Sequence, residues 1–196
     1  QSSRVETERG LEGMEGLGGQ GIQGLAIAPS AETESRHGID DLYEQNIPVV
    51  TLNSDGPGSK RLCFIGMDSY RGGQTAAGLM CQLLPDGGKV LPLAGHLNNT
   101  AHNNRLNGFL DTLRQETAYH ITLLPFQPCF DRDDYAYEIT QHTIQAEPDL
   151  AGLYVASNGQ QGVGPALAAL GPKPRLNVMA SALNPRHSPF PQQANL

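Results

Sequence analysis

The chain has 196 residues, 38% of them hydrophobic and 17% charged, with a formal net charge of −7. That length holds one ordinary domain or two small lobes, and no run of 18 apolar residues occurs that would span a membrane as a helix. Lys and Arg are scattered through an acidic chain, which leaves no stripe suited to holding a nucleic-acid backbone.

In chain order, residues 1–20 are polar and Gly-rich, although Leu11, Met14 and Leu17 sit three apart like the frayed end of a helix. Short Val/Ile/Leu-rich runs then alternate with longer amphipathic stretches, the pattern of strand-helix-strand units over a mostly parallel sheet. Residues 23–29 read as a buried strand, 32–45 as a helix, Asn46 as a turn and 47–52 as the next strand. A linker over 53–60 leads to a short strand, 62–66, and a long helix, 69–84, that Asp68 can cap and that the Pro85-Asp86-Gly87-Gly88 turn ends. Strands follow at 89–93, 121–124, 150–155 and 176–180, alternating with helices at 101–116, 133–146 and 160–170. The first of these helices is the clearest, because Leu106, Phe109, Leu110 and Leu113 form one apolar stripe with Arg105, Asn107, Arg114 and Gln115 off it. The tail, 184–196, has three prolines and no period, and is read as irregular.

Several motifs match by letter and fail by context. Gly16 to Gly21 spells G-x-G-x-x-G, but the strand comes after it instead of before, so no helix N-terminus faces a pyrophosphate. Gly87-Gly88-Lys89 lacks the rest of a P-loop and opens a strand. No nucleophile elbow, H-E-x-x-H helix or Cys with a partnering His is present, so no enzyme is expected. Cys63, Cys81 and Cys129 are odd in number and far apart, which argues against a disulfide framework or a zinc site and for reduced core cysteines in a reducing cytoplasm. His96 and His102 have no carboxylate or cysteine near them in sequence and are read as surface or site-lining imidazoles, with no metal or cofactor. Asp131, Asp133 and Asp134 are read as helix-start carboxylates favoured by the macrodipole.

In open parallel sheets, ligands sit outside the carboxyl ends of the strands. That rule selects Asn53, Ser54 and Asp55 after the second strand, His96, Asn98 and Asn99 with Arg105 after the fourth, and Ser157 and Asn158 after the strand at 150–155. Amides, hydroxyls, one carboxylate and one guanidinium suit a polyhydroxylated ligand, since each sugar hydroxyl both donates and accepts. Asn53, Asn98 and Asn158 serve equally well as caps and turn formers. The recurrence at three strand ends favours a site, with Asn53, Asp55, Asn98, Arg105, Ser157 and Asn158 as its candidate ligand residues.

Gly24-Leu25-Ala26-Ile27-Ala28-Pro29, Asn46-Ile47-Pro48-Val49-Val50-Thr51-Leu52-Asn53 and Ile65-Gly66-Met67-Asp68-Ser69-Tyr70-Arg71-Gly72-Gly73 resemble the type I periplasmic sugar-binding proteins and the effector domains of lactose-repressor-family regulators. Leu93-Ala94-Gly95-His96, followed by Asn104-Arg105-Leu106-Asn107-Gly108-Phe109, is similar to the segment in which that family holds its sugar by an arginine, and Ala156-Ser157-Asn158 falls where the family usually has Ala-Asn-Asp. The resemblance covers roughly residues 21–182. It implies a two-lobed α/β fold of the periplasmic-binding-protein type I kind, with parallel sheets flanked by helices and incomplete at both ends: a partial N-terminal lobe over 1–60, a C-terminal lobe with the crossover over 61–183, and the tail. It also implies sugar contacts from Asn53, Arg105 and Ser157, with Asn98 and Asn158 nearby. Asn53 stands where an aspartate is common and Ser157-Asn158 replaces Asn-Asp, so two expected carboxylates are absent.

The function expected first is the effector-binding domain of a cytoplasmic transcriptional regulator. Its lobes would close on a small sugar-like molecule in a homodimer that touches DNA only through a domain outside this chain. The alternative is the periplasmic receptor of a sugar-importing ABC transporter, using the same closure to present ligand to a membrane partner.

Overall fold

The alternation of apolar runs and amphipathic stretches folds into two separate parallel sheets. The structure is a computed structural model that describes residues 21–29, 33–169 and 176–181; the helical reading of the first twenty residues and the irregular tail lie outside these. The chain divides into two compact units, with breaks after Asp68, His96 and Asn103, and Leu97–Asn103 joins the first unit.

In the first unit, β1 (Leu25–Ile27), α1 (Thr33–Glu44), β2 (Val49–Leu52) and β3 (Cys63–Ile65) give a three-stranded parallel sheet in the order β1-β2-β3. Ala26, Val50 and Cys63 stand side by side in its register. α1 buries Ile39 and Leu42 against Ile47 and Val49 of the β2 segment, with Ile22, Leu25 and Ile27 around them. Asn46 turns the chain between α1 and β2 at φ +60°, a left-handed conformation that asparagine tolerates well. The lobe boundary expected at residue 60 falls later, because the ladder from Cys63–Ile65 to β2 holds that strand in the first sheet.

The second unit carries α2 (Ser69–Leu83), β4 (Gly88–Ala94), most of α3 (Thr100–Gln115), a 3-10 turn at Thr117–Tyr119, β5 (Ile121–Leu123), β6 (Gln127–Pro128), α4 (Asp133–Ala146), β7 (Leu150–Val155), α5 (Gln160–Ala169) and β8 (Asn177–Ala180). The sheet order is β5-β4-β7-β8, all parallel, with β6 also on β4. Alternation along β4 and β7 sends Val90, Ala94 and Tyr154 to one face, under Met80 of α2 and Phe109 of α3. Leu91, Leu93, Leu153 and Val155 go to the other, under Ala136 and Ile144 of α4 and Val163 of α5. Helices thus cover both faces, as a parallel sheet requires.

β5 and β6 are one strand interrupted. The carbonyls of Val90 and Ala94 accept the N–H groups of Leu124 (3.0 Å) and Cys129 (2.7 Å), whereas Leu93 faces β7 through the N–H of Ala156 (2.8 Å). By alternation Pro92 faces the β5/β6 side, where it has no N–H to offer. The ladder breaks there, and the segment resumes as β6, a strand not expected from the sequence.

α2 and α3 meet backbone to backbone. A Cβ on Gly73 would lie 2.0 Å from the Arg105 carbonyl oxygen, and one on Gly108 would lie 2.0 Å from that of Tyr70. These two glycines therefore set where the turn of α3 that bears Arg105 lies against α2.

Candidate functional site

The carboxyl ends of β4, β6 and β7 converge in the second unit. Arg105, on the inner side of α3, donates from Nη1 to the Ala156 carbonyl just past β7 (2.7 Å), and its Nε is buried without a hydrogen-bond partner among the described residues. One edge of the guanidinium is thus anchored while other N–H groups remain for a ligand. Beneath it Tyr154 stacks on Phe109, with ring centroids 4.1 Å apart, and its hydroxyl lies 2.8 Å from that of Ser181. Burial pushes this phenol above its usual range, against the Ser181 hydroxyl, so it stays protonated.

After β6 the chain makes a tight turn. Phe130 and Asp131 both take left-handed backbone, at φ +54° and +60°, a conformation rare for an aromatic residue and costing about 1 kcal/mol each. The turn is pinned by the Arg132 N–H to the Cys129 carbonyl (2.9 Å) and by Asp131 Oδ1, which accepts the Asn158 N–H at 3.0 Å. The Asp131 carboxylate sits where a side chain on Gly95 would be, since a Cβ there would lie 2.3 Å from Oδ1. Gly95 thus leaves room for the clasp that joins the loops after β6 and β7. Phe130, 41% exposed, packs beside His96 (centroids 5.5 Å apart) and against Tyr135 (5.7 Å, perpendicular).

Of the residues expected in this unit, Arg105 and Asn158 are placed together at the strand ends. Ser157 is 2% exposed, and its hydroxyl donates to the Asn158 carbonyl at 2.9 Å and faces Cys129 Sγ, so it stitches the loop from inside. Burial holds the Cys129 thiol above its usual range despite the Ser157 hydroxyl, which leaves it a poor nucleophile. Sequence reasoning left out Phe130 and treated Asp131 only as a helix-start carboxylate. The signal was a Phe-Asp pair between the short Gln127–Pro128 strand and the helix start at Asp133.

In the first unit, Asn53 takes left-handed backbone (φ +59°) and its N–H donates to the Ile65 carbonyl at 3.0 Å, the turn-forming role weighed for it from sequence. Both oxygens of Asp55 are engaged: Oδ1 by Thr51 Oγ1 (2.9 Å), the Gly56 N–H (2.8 Å) and Arg61 Nε (2.5 Å), and Oδ2 by Arg61 Nη2 (2.8 Å). Burial opposes its charge, but the Arg61 guanidinium and the Thr51 hydroxyl prevail and hold the carboxyl below its ordinary value. Asp55 is therefore tied to Arg61, with little capacity left for a ligand. Asn98 is half-buried, and Asn99 caps α3 through the N–H groups of Ala101 (2.9 Å) and His102 (3.2 Å). Thr100 bridges the hydroxyl of Ser54 (2.7 Å) and the N–H of Asp55 (3.2 Å). Among the described residues no group of three or more His, Cys, Asp or Glu is placed to hold a metal ion.

The model of the periplasmic binding protein domain matches residues 12–187. The ribose import binding protein of Escherichia coli K12 is 28% identical over 156 residues, 79% of this chain and 51% of its own length. A solute-binding protein of Burkholderia graminis, solved in complex with D-arabinose, is 27% identical and superposes with a TM-score of 0.76 over 87% of this chain and 60% of its own. A glucose-galactose binding protein from Geobacillus stearothermophilus, 22% identical, shares the fold with a TM-score of 0.79 over 87% of this chain and 60% of its own. The chain spans about half the length of the curated relatives it matches. These relatives are binding proteins, not enzymes, in line with the sequence expectation. With the family match covering most of its residues and the three-layer α/β/α sheet of the second unit, the chain belongs to the periplasmic binding protein domain family.

Proposed function

We propose that this chain is the sugar-binding part of a solute receptor for an importer. The observation that carries the reading is the convergence of Arg105, Phe130, Asp131 and Asn158 at the carboxyl edge of the second sheet. Arg105 supplies N–H donors fixed at one edge by the Ala156 carbonyl, the Asn158 amide both donates and accepts, and the face of Phe130 offers an apolar surface for the C–H side of a sugar ring. A polyhydroxylated ring presents these two kinds of surface together. Two of the relatives, a ribose import binding protein and a solute-binding protein solved in complex with D-arabinose, favour a pentose.

The same relatives reverse the order expected from sequence, in which a regulator came first. A regulator's effector domain, cytoplasmic and dimeric with DNA-binding heads elsewhere, remains the second reading, favoured by the three free thiols of Cys63, Cys81 and Cys129. Both readings need the same sugar site. Titration calorimetry of the chain with D-ribose, D-arabinose, D-glucose and D-galactose tests it: saturable heat at 1:1 with one of them is expected, and no heat from any overturns the proposal.

A further inference from the structure

Phe130 is a bulky residue in left-handed backbone with 41% of its surface exposed, and something must hold its ring still for its face to be useful. What lies against it is a chain of contacts that no sugar needs to touch. The Asp134 carboxylate grips the Arg132 guanidinium in two-pronged fashion, Nε to Oδ1 at 3.0 Å and Nη2 to Oδ2. That guanidinium lies over the Tyr135 ring, 4.5 Å from its centroid, and Tyr135 meets Phe130 at 90°. His96 also neighbours the Phe130 ring, tilted 57° with centroids 5.5 Å apart.

We infer that Tyr135 is a positioning residue, held by the Arg132–Asp134 pair, that fixes the Phe130 ring in its ligand-ready orientation. The inference rests on the sugar-site reading above. Such a brace preorganises the site: a ring free to swing about χ1 must be immobilised on binding, whereas one braced by an edge-to-face neighbour loses less freedom. Tyr135 suits bracing better than stacking, because Arg132 covers one part of its ring and the perpendicular contact takes another. The first turn of α4 carries Asp133, Asp134 and Tyr135, so the brace stands on a rigid element while Phe130 stands on a loop.

The test is a double-mutant cycle read by calorimetry with whichever pentose or hexose binds the unaltered chain, each variant checked by thermal unfolding. Phe130→Ala is expected to weaken binding about tenfold or more, and Tyr135→Leu about three- to tenfold, with Tyr135→Phe restoring most of the loss. In the Phe130→Ala background, Tyr135→Leu is expected to have no further effect. An equal loss in both backgrounds overturns the positioning role, as does a neutral Tyr135→Leu beside an impaired Phe130→Ala, which leaves the sugar site standing. A neutral Phe130→Ala, or no binding by the unaltered chain, overturns the site reading and the inference together. If Tyr135→Leu unfolds the chain, Arg132→Gln removes the guanidinium from the ring with less disturbance, and its loss must likewise vanish in the Phe130→Ala background.

Discussion

Arg105 and Asp55 show how two charged side chains, both chosen from sequence as ligand residues, come to differ. Among the described residues Arg105 has one hydrogen bond to its own chain, with the Ala156 carbonyl, and a buried Nε without a partner. Arg105→Ala is therefore expected to abolish sugar-induced thermal stabilisation, since charge-assisted hydrogen bonds contribute about 1.5–3 kcal/mol each, while shifting the melting temperature of the free chain only slightly. Stabilisation that survives the change would remove Arg105 from the site. Asp55 instead serves the first unit. Its folded carboxyl titrates below the ordinary 3.8, so its contribution to stability is present above 3.8 and is lost as the pH falls through the lower folded value. Asp55→Asn should lower the melting temperature near neutrality, and the gap to the unaltered chain should close in melts taken progressively below pH 3.8. A gap unchanged by acid would contradict the Arg61 pairing. Position after a strand was legible for both residues; Arg61 as the partner of Asp55 was not, because a six-residue separation through a Gly-Pro-Gly linker carries no periodicity. Phe130 and Asp131 escaped for a related reason: their left-handed turn follows a two-residue strand.

At the scale of elements, helices and strands were legible nearly throughout, because helix stripes such as Leu106, Phe109 and Leu113 and the apolar run Val90 to Ala94 leave little ambiguity. The exception is instructive. β6 depends on Pro92 interrupting a ladder whose two strands are more than thirty residues away in sequence, and no local pattern reports that. The α2–α3 crossing was equally hidden, although Gly73 and Gly108 were visible as glycines inside helices. Gly73→Ala would place a methyl 2.0 Å from the Arg105 carbonyl oxygen, so the helices must separate. A loss of about 1–3 kcal/mol is expected by denaturant unfolding, together with weaker sugar binding, since the displaced turn is the one that carries Arg105. Unchanged stability would mean that the helices have room to shift.

Over the whole molecule, the order of motifs identified the fold, and the match of the periplasmic binding protein domain over residues 12–187 fixed the family, while the balance between receptor and regulator lay outside what periodicity encodes. The second unit has a sheet sheltered on both faces, whereas the described part of the first has three short strands under one helix and leaves Leu62 and Ile65 more than half exposed. Each unit carries strand-end residues that the sequence proposed, but among the described residues only the second unit presents an arginine, an amide and an exposed aromatic ring together at its strand ends. The most direct measurement is therefore amide chemical-shift mapping of the isotope-labelled chain titrated with D-ribose and D-arabinose. If the sugar binds at the strand ends of the second sheet, saturable shifts centre on Gly95, His96, Arg105, Phe130, Asp131 and Asn158. Saturable shifts confined instead to another surface, such as the shallow groove of Leu113, Arg114, Thr117 and His120, would contradict it.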